Sequence, residues 1–217
     1  MKKLKAKILI LIIGGVIWGA FLLSGCQADG GGANTGKTYE KGILTETTYE
    51  SEYLNLRFEL PEGFNMGIKS IVDDFAEFED EIIYQDADNT IIDFTKANVV
   101  YEMYADTPDI YPSVYLMTEK LPSQNTTVKQ YLNYIDKKFT GGEDLGYTIE
   151  SKRGAAVVAG QSYTRMNLEI NYLGIEVLQY FLTRKIDDRA VSFIVTYKKG
   201  TEAEADRLLS AFSEYGI

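Results

Sequence analysis

The chain has 217 residues with 22 Lys+Arg, 32 Asp+Glu and no His, a formal charge of −10, and it holds one Cys and one Trp. Without His there is no Ser-His-Asp triad, no Cys-His dyad and no His-ligated zinc, and one Cys closes no internal disulfide. An acidic chain is a poor partner for phosphate backbones, which speaks against nucleic acid, while 45% apolar residues suffice for a core and speak against disorder.

The chain begins with four Lys among its first seven residues, runs from Ile8 to Leu23 without a charge, and then reads Leu23-Ser24-Gly25-Cys26. A basic start, an apolar run and small residues make an export signal. Gly14, Gly15 and Gly19, and the lack of a basic cluster after the run, argue against a spanning helix. The last four residues resemble the lipobox of bacterial lipoproteins. That resemblance implies cleavage between Gly25 and Cys26, a diacylglyceryl lipid on the Cys26 sulfur with acyl chains such as palmitate, and a membrane-anchored place at the cell surface, outside the cytoplasm. Loss of residues 1–25 removes four Lys and no acid, which leaves 18 basic against 32 acidic residues, a charge of −14. So acidic a body is repelled by an anionic membrane surface, and lipid is expected to hold it there alone.

Residues 26–39, the lipidated Cys and a Gly-rich stretch, read as a tether. About a dozen such residues reach roughly 17–20 Å. Residues 40–217 read as one domain.

Within it, Leu54, Leu56, Phe58 and Leu60 alternate with Tyr53, Asn55, Arg57 and Glu59, predicting a strand over Tyr53 to Leu60 that Pro61-Glu62-Gly63 stops. An earlier strand near Leu44 to Glu50 is expected to pair with it through a turn at Glu50-Ser51-Glu52. Ile68, Ile71, Val72, Phe75, Phe78, Ile82 and Ile83 form one helical stripe, with Asp73, Asp74, Glu77, Asp80 and Glu81 facing away. Asp86 to Asn98 reads as a loop with a short strand at Ile91 to Phe94.

Strands are predicted at Val99 to Ala105 and Ser113 to Thr118. A helix is predicted over Thr127 to Thr140, capped by Asn125 or Thr126, with Val128, Tyr131, Leu132, Ile135 and Phe139 as its apolar stripe. Three or four long strands follow, over about Tyr147 to Val158, Gln161 to Tyr172, Ile175 to Ile186 and Ala190 to Tyr197. They form a meander turning at Gly160, Gly174 and Asp187-Asp188. Thr201-Glu202-Ala203-Glu204 reads as a capping box opening a last helix that buries Ala205, Leu208, Leu209 and Phe212. Short connections between strands make the sheet mainly antiparallel, and helices packed on its faces make the class α+β.

The phrase Phe58-Glu59-Leu60-Pro61-Glu62-Gly63-Phe64 after a strand, an amphipathic helix, a strand holding Tyr101-Glu102-Met103, and a meander with an Ala159-Gly160 turn resemble exported domains of the Mog/PsbP-like fold. The resemblance covers about residues 43–215 and implies an αβα sandwich around an antiparallel sheet. Its relatives include a photosystem accessory subunit and a binding partner of a small GTPase, and no partner-binding residue carries over.

Among candidate sites, Asp86, Asp88 and Asp93 offer oxygen ligands for a divalent cation, but the Gly and Glu that an EF-hand loop needs are missing. Tyr101, Tyr104, Tyr115, Tyr163, Tyr172 and Tyr180 suit either sheet packing or a stacking surface. No Gly-x-Ser-x-Gly or Ser-x-x-Lys is present, and no catalytic residue is assigned. Adjacent Ser151 and Lys152 in a strand point to opposite faces. The expectation is a non-enzymatic, lipid-anchored binding or accessory protein whose partner is a protein or surface component, with no cofactor beyond the lipid. A cation-binding accessory protein and a carboxylate-dependent hydrolase are the alternatives.

Overall fold

The computed structural model describes residues 35–67, 99–121, 124–140, 149–172 and 175–216. The stripe over Ile68 to Ile83, the strand at Ile91 to Phe94 and the Gly-Gly stop after Thr140 lie outside these residues.

Two antiparallel sheets make up the body. The smaller has the order β1-β2-β3-β11, from Ile43–Leu44, Thr48–Ser51, Leu56–Glu59 and Phe212–Ser213. The larger has the order β4-β5-β6-β10-β9-β8-β7. Its strands are β4 (Asn65–Met66), β5 (Val99–Asp106), β6 (Ser113–Lys120), β7 (Ile149–Val158), β8 (Gln161–Tyr172), β9 (Ile175–Ile186) and β10 (Arg189–Tyr197). Two helices are described, α1 (Val128–Thr140) and α2 (Glu202–Ser210).

Alternation along the large sheet gives it two apolar faces. One carries Tyr101, Tyr104, Tyr115, Met117, Met166, Phe181 and Ile194, and α1 buries Tyr131, Leu132 and Ile135 against it. The other carries Met103, Val114, Leu116, Leu182, Phe193 and Val195. It packs on Tyr49, Leu54, Leu56, Phe58 and Phe212 of the small sheet side, with Ala205 and Leu208 of α2 beside them. That second face is thus covered in large part by strands, with α2 at their side. The Phe212 ring meets Phe58 tilted at 4.6 Å and Phe193 edge-on at 4.7 Å, which fixes β11 into the layer between the sheets.

The meander β7–β10 follows the predicted bounds closely. Val158 pairs with Gln161 around Ala159-Gly160, both at positive φ, the backbone a tight two-residue hairpin requires. Ile186 pairs with Arg189 around Asp187-Asp188. The phrase after β3 forms another tight turn. Phe64 N–H donates to the Pro61 carbonyl at 3.3 Å, and Gly63 sits at φ +85 where a side chain would strain.

Four local expectations are corrected. The β2–β3 turn spans Glu52 to Asn55 rather than Glu50 to Glu52. The Ser51 hydroxyl accepts the Leu54 N–H at 3.1 Å and folds Tyr53 and Leu54 into the turn. The α1 cap is Thr127, where Asn125 or Thr126 is expected from sequence. Its hydroxyl accepts Gln130 N–H at 3.2 Å while Gln130 Oε1 accepts Thr127 N–H at 2.9 Å, a reciprocal box. The box predicted at Thr201 does not form, because the Thr201 hydroxyl turns back to the Lys198 carbonyl at 2.9 Å. The last helix stops at Ser210, and Phe212 enters β11.

Candidate functional site

Most of β5 is apolar, yet Glu102 at its centre is fully buried. Tyr101 pairs with Met117 and Met103 with Leu116, so Glu102 is an extra residue in a β-bulge. The bulge turns Glu102 and Met103 toward the same face. Both carboxyl oxygens of Glu102 are occupied. Tyr39 OH donates to Oε1 at 2.6 Å, Tyr49 OH donates to Oε2 at 2.8 Å, and Gly42 N–H donates to Oε2 at 3.0 Å. A buried carboxyl group is costly unless its oxygens are bonded, and this set of donors meets that need.

Two of the donors come from the segment before β1. It crosses the body as a strap with contacts at every second or third residue. Thr35 N–H and hydroxyl donate to the Asp187 carboxylate at 2.9 and 2.6 Å. Lys37 Nζ pairs with Glu52 at 2.6 Å. The Tyr39 ring lies edge-on to Tyr53 at 5.3 Å and under the Arg189 guanidinium at 3.7 Å, while Arg189 reaches the Thr118 hydroxyl at 3.5 Å. At Gly42 an added Cβ would stand 2.4 Å from the Tyr49 ring, so only glycine lets the strap approach closely enough to donate. Thr35 and Lys37 lie in the stretch that the sequence marks as tether.

Burial, with Glu102 as neighbour, raises the Tyr39 and Tyr49 phenols well above their ordinary value. They therefore stay protonated and donate throughout the ordinary pH range. The group acts as a lock between strap and sheet. Its oxygens are taken, and neither phenol is a base at neutral pH.

A second polar group lies at the C-terminal end of β5. Asp106 accepts from Tyr104 OH at 2.7 Å and from Asn65 Nδ2 at 3.3 Å, and burial raises its carboxyl. A third is the pair of stacked arginines on β8 and β9. Arg165 lies 4.3 Å from the Tyr180 ring centre and Arg184 lies 5.4 Å from that of Tyr163. Arg184 donates to the Leu54 carbonyl at 2.6 Å and so ties the β2–β3 turn to the large sheet.

Of the residues singled out by sequence, Gly25, Cys26, Asp86, Asp88, Asp93 and the acidic stripe from Asp73 to Glu81 lie outside the described residues. Among the described residues no group of three or more His, Cys, Asp or Glu stands ready for a metal ion, and no helix is long and apolar enough to cross a membrane. The tyrosines do not make one surface. Tyr101, Tyr104 and Tyr115 are buried on the α1 face, and Tyr163 and Tyr180 are buried on the other. Ser151 and Lys152 are successive residues of β7. Glu102 was missed. The signal available was a lone acidic residue inside Val99-Val100-Tyr101-Glu102-Met103-Tyr104-Ala105.

No known protein family matches the sequence, and no curated protein matches it. Solved structures do. Cyanobacterial PsbP (CyanoP) from Synechocystis sp. PCC 6803 is 12% identical, with TM-score 0.49, over 83% of this chain and 99% of that one. A Bacteroides thetaiotaomicron protein is 9% identical, with TM-score 0.43, over 79% of this chain. The chain spans 49% of that protein's length. A Pseudomonas aeruginosa protein of unknown function is 14% identical, with TM-score 0.29, over 45% of this chain and 70% of that one.

Proposed function

We propose that this chain is a bacterial lipoprotein, carried at the membrane on a diacylglyceryl group at Cys26 and working outside the cytoplasm as a non-enzymatic binding or accessory protein. The observation that carries the reading is Leu23-Ser24-Gly25-Cys26 at the end of a basic and then apolar start. The thiol is the strongest nucleophile the chain has for taking a lipid, and two or more acyl chains hold a protein stably where one does not. The strap adds support: a chain that enters its domain through a string of bonded residues transmits an anchor's position to the body.

We also propose a PsbP-like fold with an αβα arrangement. The order of elements and the tight turn at Pro61 to Phe64 support it. In such a protein the acidic body, at −14 after loss of residues 1–25, stands off an anionic bilayer and presents its outer surface to a protein or surface component.

Cys26→Ala tests the anchor. Labelled fatty acid is expected to enter the parent chain and not the variant, and the variant is expected to keep residues 1–25. Label entering the variant would overturn the reading.

A further inference from the structure

Apart from its bonds to Glu102 in the middle of β5, the strap's contacts lie toward one end of the body. Asp187 is in the β9–β10 turn, Glu52 in the β2–β3 turn, and Arg189 and Thr118 at the adjoining ends of β10 and β6. Leu121 N–H, just past β6, donates to the Asp188 carbonyl at 2.7 Å at the same end. At the other end lie the β5–β6 loop, Thr107 to Pro112, and the β10–α2 turn, where Lys198 sits 5.2 Å from the Tyr111 ring.

From these positions we infer that the end holding the β9–β10 turn faces the bilayer and that the end holding Lys198 and Lys199 faces away from it. The inference rests on the lipid at Cys26. Eight residues, 27–34, join Cys26 to Thr35. Fully extended, the nine steps from Cys26 to Thr35 span about 30 Å. As a Gly-rich coil they span roughly 15–18 Å. Strand β9 has 12 residues, which makes the sheet about 36 Å long between its ends at 3.3 Å per residue. An inverted domain needs Thr35 held a full sheet length above the headgroups, and even the extended link falls short of that. A longer tether, or a strap free from Thr35 to Gly42, would lift this limit. The bonds to Asp187, Glu52 and Glu102 therefore set the orientation.

The test uses the full chain, processed and membrane-bound, with one added thiol, either Lys120→Cys at the inner end or Lys199→Cys at the outer end. Both positions are exposed. Each is labelled with a fluorescent donor, and the membrane carries headgroup acceptors. The expected result is a larger loss of donor emission at position 120 than at 199, with the gap narrowing when Asp187→Ala and Lys37→Ala release the strap. Equal losses, or a larger loss at 199, overturn the orientation while leaving the anchor intact. A protein that is soluble both with Cys26 and with Cys26→Ala overturns the anchor itself. A circular dichroism melt matching the parent shows that each variant is folded.

Discussion

Glu102 is the residue on which the strap depends. Removing one phenol leaves a buried carboxyl oxygen short of a donor, which costs about 1–3 kcal/mol. For a domain of this size 1 kcal/mol moves the melting temperature by roughly 2–4 °C. Tyr39→Phe is therefore expected to lower the melting temperature by several degrees, and Glu102→Leu, which leaves Tyr39, Tyr49 and Gly42 without their acceptor, by at least as much. A thermal melt unchanged in both would mean that the lock contributes nothing. Gly42→Ala should cost about 1–3 kcal/mol through its clash with the Tyr49 ring, a loss that Tyr49→Phe, which keeps the ring, would not relieve. The phenols also give the fold an alkaline limit. Burial raises Tyr39 and Tyr49, and pushes Tyr163 up to about 12. A folded value above the unfolded value of about 10 favours the protonated form in the folded state, so this stability is complete below that pH and is lost as pH rises through and beyond it. Tyrosinate absorbance should show these groups ionising together with unfolding. Independent ionisation of all tyrosines near their ordinary value, with the fold intact, would contradict the burial.

Elements differ in how plainly the sequence announces them. The meander was legible because hairpins with two-residue turns leave strand lengths no slack: β8 and β9 lie where alternation and the turn residues place them. The Glu52 to Asn55 turn was not legible. Tyr53 and Leu54 continue the apolar alternation of β3, and they are held out of the strand by the Leu54 N–H bond to the Ser51 hydroxyl, the Asn55 N–H bond to the Glu52 carbonyl and the Arg184 bond to the Leu54 carbonyl. The bulge at Glu102 was hidden for a related reason, since one extra residue breaks the period of two without a glycine or proline to mark it. Caps showed the opposite failing. Thr127-x-x-Gln130 and Thr201-x-x-Glu204 carry the same signal, yet only the first closes. Thr127→Ala is accordingly expected to cost about 1 kcal/mol of stability. Thr201→Ala, which removes two bonds to the Lys198 backbone in an exposed turn and no helix cap, should cost less. Equal losses in a denaturant titration would mean that the second box closes in solution.

At the scale of the molecule, the layers explain why the chain end matters. Phe212 sits between Phe58 and Phe193, so removing the ring is a core deletion even though it lies only five residues before the end of the sequence. Phe212→Ala should cost about 3–5 kcal/mol. In the proposed reading, the same layered body is entered by the bonded strap, held by a lipid at Cys26 and oriented with its far end away from the membrane. The intact mass of the protein extracted from membranes tests that account most directly. The predicted result is a chain that begins at Cys26 and carries the added mass of a diacylglyceryl group. A chain that retains residues 1–25, or one that begins at Cys26 with an unmodified thiol, would contradict it.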